Sequence, residues 1–352
     1  MGQSCWLAFQ PTTFEPKPGQ ETLFTFDKTP TYLFRLNVPR SKGDTSTMRV
    51  MAPGFVGRMA YHRDGWPCGK GLLQLPTEVA TSRLRNHLRW KCTRPDMSPC
   101  NLMSWSSSLL FLLQYALRRH TTDFEPKPKF PDIKIIMIDT RDFPEQTFLR
   151  DLDALEWLFQ DPDPDLGNLY NNRNGRFYFG EYLTQGFLDI KGKCVEMTMQ
   201  QLADGGRFMV ICPALVNKPQ NDWRFWAKAV CDLREGIASS KVADQKQFRT
   251  AIFLARDCVG DQFLVPFALM FLGLQSRQAD NAAMANAFLS LFTGTMEELR
   301  RFQELMEVVE KQHDKNPLAE TTRLMEGLGL STNGMSTNPT KTRIYVGPFG
   351  DE

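Results

Sequence analysis

NLMSWSSSLLFLLQYALRRH, residues 101–120, changes character within twenty residues. Leu102 to Trp105 reads as a short strand. A polar knot of Ser104, Ser106, Ser107 and Ser108 around Trp105 follows, and then twelve residues with a helical pattern. Ser107 or Ser108 is a natural N-cap, because a side-chain oxygen there accepts from a backbone N–H that the first turn leaves unpaired. Arg118, Arg119 and His120 fall in the last turn, where positive charge suits the helix dipole. A strand end and a helix cap account for Ser107 or Ser108. They leave Ser104 and Ser106 unexplained.

Working outward, TYLFRLNVP (31–39) alternates Leu33, Arg35 and Asn37 with Phe34, Leu36 and Val38, a strand ended by Pro39. A stretch rich in Gly, Arg and Pro covers 40–75, and PTEVATSRLRNHLRW begins a helix that runs to about Trp90. KIIMIDT (134–140) is an apolar, partly β-branched run, hence a buried strand. Residues 142–159 read as helix, 161–175 as a polar loop, 176–190 as a hairpin or two short strands, and 207–216 as one further strand. From Trp223 the pattern turns helical: Trp223, Trp226, Val230, Leu233 and Ile237 make one amphipathic stripe, and Thr295 to Glu298 has the capping-box form. These readings predict a fold of class α+β. The expected divisions are a flexible arm (1–29), an α+β domain (30–216), a helical domain (217–330) and a disordered tail (331–352).

Size and charge narrow the possibilities. The chain has 352 residues, enough for one large or two ordinary domains, with 42 basic residues against 40 acidic. No basic run interleaved with aromatics appears, so no nucleic-acid partner is expected. The eight cysteines are scattered, with no Cys-x-x-Cys pair and no closely spaced histidine pair, so no metal is expected and the thiols read as reduced core residues of a cytoplasmic protein. The longest apolar run, FLVPFALMFLGL (263–274), is too short to span a membrane and contains Pro266. Gly2 and Cys5 are possible lipid acceptors, although Trp6 stands where a myristoylation motif wants Ser or Thr. There is no G-x-G-x-x-G, P-loop, G-x-S-x-G or His-Glu-x-x-His motif. Four histidines, His62, His87, His120 and His313, give no local support for a catalytic pair and read as surface or core-edge residues.

Three segments share one feature: Arg35, Ser104 and Glu181 are each a polar residue in an otherwise apolar strand. Such a residue needs a partner or a task. YLFRLNVPRSKG, then NHLRWKC ahead of the 101–120 stretch, then GEYLTQGFL, resemble a family of fungal domains of unknown function. That family is similar to the Arg-Ser-Glu class of ADP-ribosyltransferases. The resemblance covers residues 30–215. It implies an ADP-ribosyltransferase-like two-sheet core with helices, followed by an all-α C-terminal region. It also implies NAD as substrate, and an Arg, a Ser-x-Ser/Thr motif and a Glu meeting in one cleft on adjacent strands of two packed sheets. Carried over, Glu181 and Ser104 would be catalytic, and Arg35, Ser104 and Ser106 would hold NAD. Apart from the motif, a tyrosine such as Tyr61 is a candidate to stack on nicotinamide. Phe179 stands where arginine-modifying members carry Glu or Gln, which argues against an arginine acceptor. The competing expectation is an inactive domain of the same fold, with the helical region serving as a protein-interaction surface.

Overall fold

The computed structural model describes residues 12–24, 26–58, 70–91, 100–122, 126–159, 164–216, 226–236, 245–260 and 263–274. Its strands are β1 (Tyr32–Asn37), β2 (Asp44–Thr45), β3 (Arg49–Met51), β4 (Leu102–Ser106), β5 (Lys134–Asp139), β6 (Leu149–Arg150), β7 (Glu181–Gln185), β8 (Phe187–Asp189) and β9 (Cys194–Thr198). The helices used below are α1 (Thr77–Leu88), α2 (Leu109–Thr122), α3 (Asp151–Leu158), α4 (Pro164–Arg173), α5 (Trp226–Gly236), α6 (Gln245–Val259) and α7 (Leu264–Gly273).

One antiparallel sheet runs β6-β7-β4-β1-β5-β9 and a second runs β2-β3-β8. The mixed α+β class is therefore present. Side chains that are paired across a ladder share a face, so the register separates two sets of residues on the large sheet. Leu33, Met103, Trp105, Ile136, Ile138 and Tyr182 face the small sheet and pack with Val50 and Leu188. The opposite face is covered in two patches. Phe34, Ile135, Met137 and Met197 lie under α2, α5, α6 and α7, while Leu102, Leu149 and Leu183 lie under α1, α3 and α4. Ser104, Ser106 and Glu181 belong to this second face and sit at the seam between its two apolar patches.

The quoted stretch folds as its pattern implies. β4 ends at Ser106, and the Ser108 hydroxyl accepts from Phe111 N–H at 3.2 Å to start α2. The β5 run is central and almost wholly buried. Other segments differ from their sequence pattern. Residues 207–216 form two short helices, Arg207–Ile211 and Pro213–Val216, in place of a strand. Phe208, Ile211, Cys212 and Leu215, at helical spacing, carry the burial, and Gly205 and Gly206 at positive φ turn the chain into the first helix. Within 161–175, α4 replaces the expected loop, with Pro164 at its first position. Only 151–158 of the 142–159 stretch is α-helical, because Pro144 and short 3-10 turns occupy the segment before β6. Residues 176–190 make two strands that belong to different sheets, and Gly186 at φ 69° carries the crossing.

The segment expected as a loose arm is docked over its described part. Phe14 is fully buried and its N–H donates to Gln146 O at 2.8 Å, while Gln185 Nε2 donates to Thr13 O at 2.7 Å. The helical stretch from Trp226 does not form a core of its own: Val230, Leu233, Phe248 and Phe267 share one apolar cluster with the sheet, across the boundary placed at 216/217. Residues 275–352, including the Thr295 capping box and the tail, lie outside the described residues. No helix among the described residues is long and apolar enough to cross a membrane.

Truncating a fully buried phenylalanine removes transfer energy and leaves a cavity. Phe14→Ala is therefore expected to cost about 3 kcal/mol of stability in urea titration. A loss under about 0.5 kcal/mol, the size of an ordinary surface change, would show the segment undocked.

Candidate functional site

Glu181 opens β7 beside Ser106 of β4 in the ladder, and Ser104 stands two residues along on the same face. The Ser104 hydroxyl donates to Glu181 Oε1 at 2.6 Å. Glu181 Oε2 accepts from Arg173 Nη1 at the end of α4, and the same nitrogen donates to Asp151 Oδ2 at 2.5 Å. Asp151 is fully buried at the start of α3, and its Oδ1 has no hydrogen-bond partner. On the other side His87, near the end of α1, places Nε2 2.8 Å from Ser104 Oγ and Nδ1 3.2 Å from Cys100 Sγ. The Glu181 side chain retains 19% exposure, so solvent or a ligand reaches it.

Arg35 approaches from the opposite face. In register it belongs with Leu33, Ile136 and Trp105, and its guanidinium stands 5.9 Å from the Trp105 ring centroid. β1 and β4 are paired only at Phe34 and Ser106, whereas β1 and β5 are paired over six residues. Past that single pair the two strands part. Arg35 fills the opening: Nη1 donates to the Ser104 carbonyl at 2.7 Å and Nε to Thr45 Oγ1 at 3.2 Å. Both partners are neutral. Among the described residues no carboxylate forms an ion pair with it.

The structure places Arg35, Ser104 and Glu181 on three neighbouring strands of one sheet, where strands of two sheets had been expected: Ser104 and Glu181 share one face, and Arg35 belongs to the other and reaches the Ser104 backbone. Ser106 is turned to a local task. Its hydroxyl donates to Phe179 O at 2.7 Å and accepts from Ser108 N–H at 3.0 Å, tying β7 to the start of α2. Tyr61 lies outside the described residues. His87, Asp151 and Arg173 were not singled out from sequence. Arg173 fell in the stretch read as loop, and Asp151 has the form of an ordinary first-turn acid. His87 reads as a core-edge residue of α1, three positions after the buried Leu84.

Charge in the seam is set by burial and by the two arginines. Burial pushes Glu181 up, but Arg173, His87 and the bond from Ser104 outweigh it and hold the carboxyl below its ordinary value. Asp151 goes the other way: burial raises it to about 7 against the pull of Arg173, with Glu181 adding to the rise. Burial lowers His87 to about 4, and Arg35 and Arg173 add to the effect against Glu181. Burial also lowers Arg35 to about 10, a guanidinium stripped of water. At neutral pH the seam holds an ionised Glu181, a neutral imidazole and two cations.

Residues 28–188 match a family model described as a domain of unknown function (DUF7587). The match contains every residue of the seam, from Arg35 to Glu181. Nothing among curated proteins or solved structures matches this chain.

Two predictions follow from this geometry. Gly180, at φ 66°, lets the chain turn into Glu181, and an added methyl would overlap the Ser107 hydroxyl and lie 3.1 Å from Ser107 Cβ. Gly180→Ala is expected to lose about 1–2 kcal/mol in urea titration, the cost of a left-handed non-glycine residue. The second concerns pH. The folded-state value of His87 is depressed, so the unfolded chain takes up a proton at pH 6.5 that the folded chain refuses until about pH 4. Its contribution to stability is complete above pH 6.5 and is lost as pH falls toward 4. Between pH 7 and 5, wild type should lose about 1–2 kcal/mol more than His87→Gln. The comparison removes Asp151, whose raised value acts with the opposite sign in both proteins. Parallel pH profiles would contradict it.

Proposed function

We propose that this chain binds NAD and cleaves its nicotinamide–ribose bond, acting as an NAD glycohydrolase or mono-ADP-ribosyltransferase on an ADP-ribosyltransferase-like core. The observation that carries the reading is the pairing at Ser104: an ionised, partly exposed carboxylate on its hydroxyl and, on its carbonyl, a guanidinium without a carboxylate partner among the described residues. Even a partly buried charge without a counter-ion is costly, and a phosphate would supply one. Arg35 therefore suits the pyrophosphate, gripped through its planar fork of donors. Glu181 suits the nicotinamide ribose. Bond cleavage develops oxocarbenium character, and a carboxylate beside the ring and its 2′-hydroxyl lowers that barrier, as in glycoside hydrolysis. Ser104 orients Glu181, and Ser106 supports the strand end behind it. No metal is required.

Two residues before Glu181, Phe179 stacks on Phe111 with ring centroids 4.6 Å apart. No second carboxylate stands there to activate an arginine acceptor, which favours water or a different protein acceptor. A cytoplasmic setting, where thiols stay reduced, suits the buried cysteines 100, 212, 231 and 258.

A second reading has its own support. Both oxygens of Glu181 already have partners, and Arg173 is committed between two carboxylates. A network satisfied in this way also serves an inactive domain that binds a partner through its helices. Nicotinamide release from NAD separates the two. The enzyme reading expects turnover in wild type and a loss of about 100-fold or more in Glu181→Gln, the scale of removing one preorganised electrostatic group. Equal, background-level release from both proteins would leave only the binding module.

A further inference from the structure

The Ser104 hydroxyl has one proton and two neighbours close enough to share it, His87 Nε2 at 2.8 Å and Glu181 Oε1 at 2.6 Å. An ionised carboxylate has no proton to give, so at Glu181 the serine must be the donor. Only lone pairs then remain to face His87. The contact at 2.8 Å is a hydrogen bond only if Nε2 carries hydrogen. Nδ1 is then bare, and the Cys100 thiol 3.2 Å away supplies the proton it can accept. The Nδ1–H tautomer fails on the same count. With hydrogen on Nδ1, the serine would turn its proton to Nε2, and two oxygens 2.6 Å apart would meet without one. An imidazolium would satisfy both contacts but fails on charge: burial, Arg35 and Arg173 oppose it against the pull of Glu181.

We propose that His87 is a positioning residue of this site: held as the Nε2–H tautomer by the Cys100 thiol, it points the Ser104 proton at Glu181. The hydroxyl would otherwise be free to rotate among its staggered positions. Donation from His87 leaves one orientation, which keeps the carboxylate hydrogen-bonded, ionised and aimed. The inference rests on the ionised Glu181 of the proposed function, though not on NAD being its substrate.

The test is a long-range proton–nitrogen correlation spectrum of the full chain labelled with 15N-histidine, which distinguishes a protonated ring nitrogen from a bare one. The chain has four histidines, and His87→Gln identifies the signal of interest by its loss. His120 gives an internal contrast: its Nδ1 lies 2.8 Å from the Pro128 carbonyl, which can only accept, so its Nδ1 must carry hydrogen. At neutral pH His87 is expected to show hydrogen on Nε2 alone. In Glu181→Gln the amide must keep its oxygen toward Arg173 and so offers N–H to Ser104. The serine proton is then sent back to His87, and the tautomer should switch to Nδ1–H. Hydrogen on Nδ1 in wild type, or an unchanged tautomer in folded Glu181→Gln, overturns the proposal. If that variant does not fold, the wild-type spectrum still decides. Nicotinamide release is not read here, so a wild type that leaves NAD intact would sink the earlier reading without touching this one.

Discussion

A single carboxylate, Glu181, has to stay negative at the seam between two apolar patches, and the surrounding structure answers to that requirement. Moving an unpaired charge into such a place costs several kcal/mol. The offset comes from both sides: Arg173 on one oxygen and Ser104 on the other. Each of these needs an element delivered to the same point. α4 brings Arg173, β4 brings Ser104, and α1 brings His87 behind the serine. The register of β4 against β7 follows from the same need, because a slip of one residue would turn Glu181 onto the face occupied by Trp105 and Tyr182.

The two arginines of the site are not equivalent. Arg173 is charge-paired within the fold, with Asp151 and Glu181 sharing one of its nitrogens. Two carboxylates on one guanidinium leave a residual negative charge, and burial of Asp151 resolves part of it by raising that carboxyl toward neutrality. The same rise toward neutrality lowers the cost of burying Asp151 Oδ1 without a partner. Arg35 has the reverse condition, a partly buried cation with neutral acceptors only among the described residues. One arginine belongs to the folded state. The other has no ion-pair partner among the described residues.

The parts of the fold that were legible in sequence are those whose burial pattern has one period. β1 sets Phe34 and Leu36 against Leu33 and Arg35, β5 is a short apolar run, and the serine knot before Leu109 marks a cap. Residues 207–216 misled because nearly every position is apolar. A run of that kind hides whether 208, 211, 212 and 215 or alternate residues will be buried, and the glycine pair at 205–206 decides it through backbone angles that composition does not display. α4 was obscured by five polar residues in its ten, although Pro164 and Asp165 had the form of a helix start. For the site, Arg35, Ser104 and Glu181 stood out because each is polar among apolar neighbours in a strand. Asp151, Arg173 and His87 sit on helices, where a polar residue is ordinary and the direction it faces depends on packing.

That difference bears on how the site is built. The strand residues are fixed by a ladder whose period is two, so their relative placement is rigid and readable. The helix residues are fixed by the apolar cluster beneath α1, α3 and α4, where Leu84, Leu155, Leu158 and Leu166 set how deeply each helix sits. His87 and Arg173 therefore depend on a core they do not belong to. Loosening that core would move the two supports of Glu181 relative to the strand that carries it, and the carboxylate would drift toward the protonated state that burial alone favours. The charge on Glu181 is in this sense a property of the packing behind it as much as of its own neighbours.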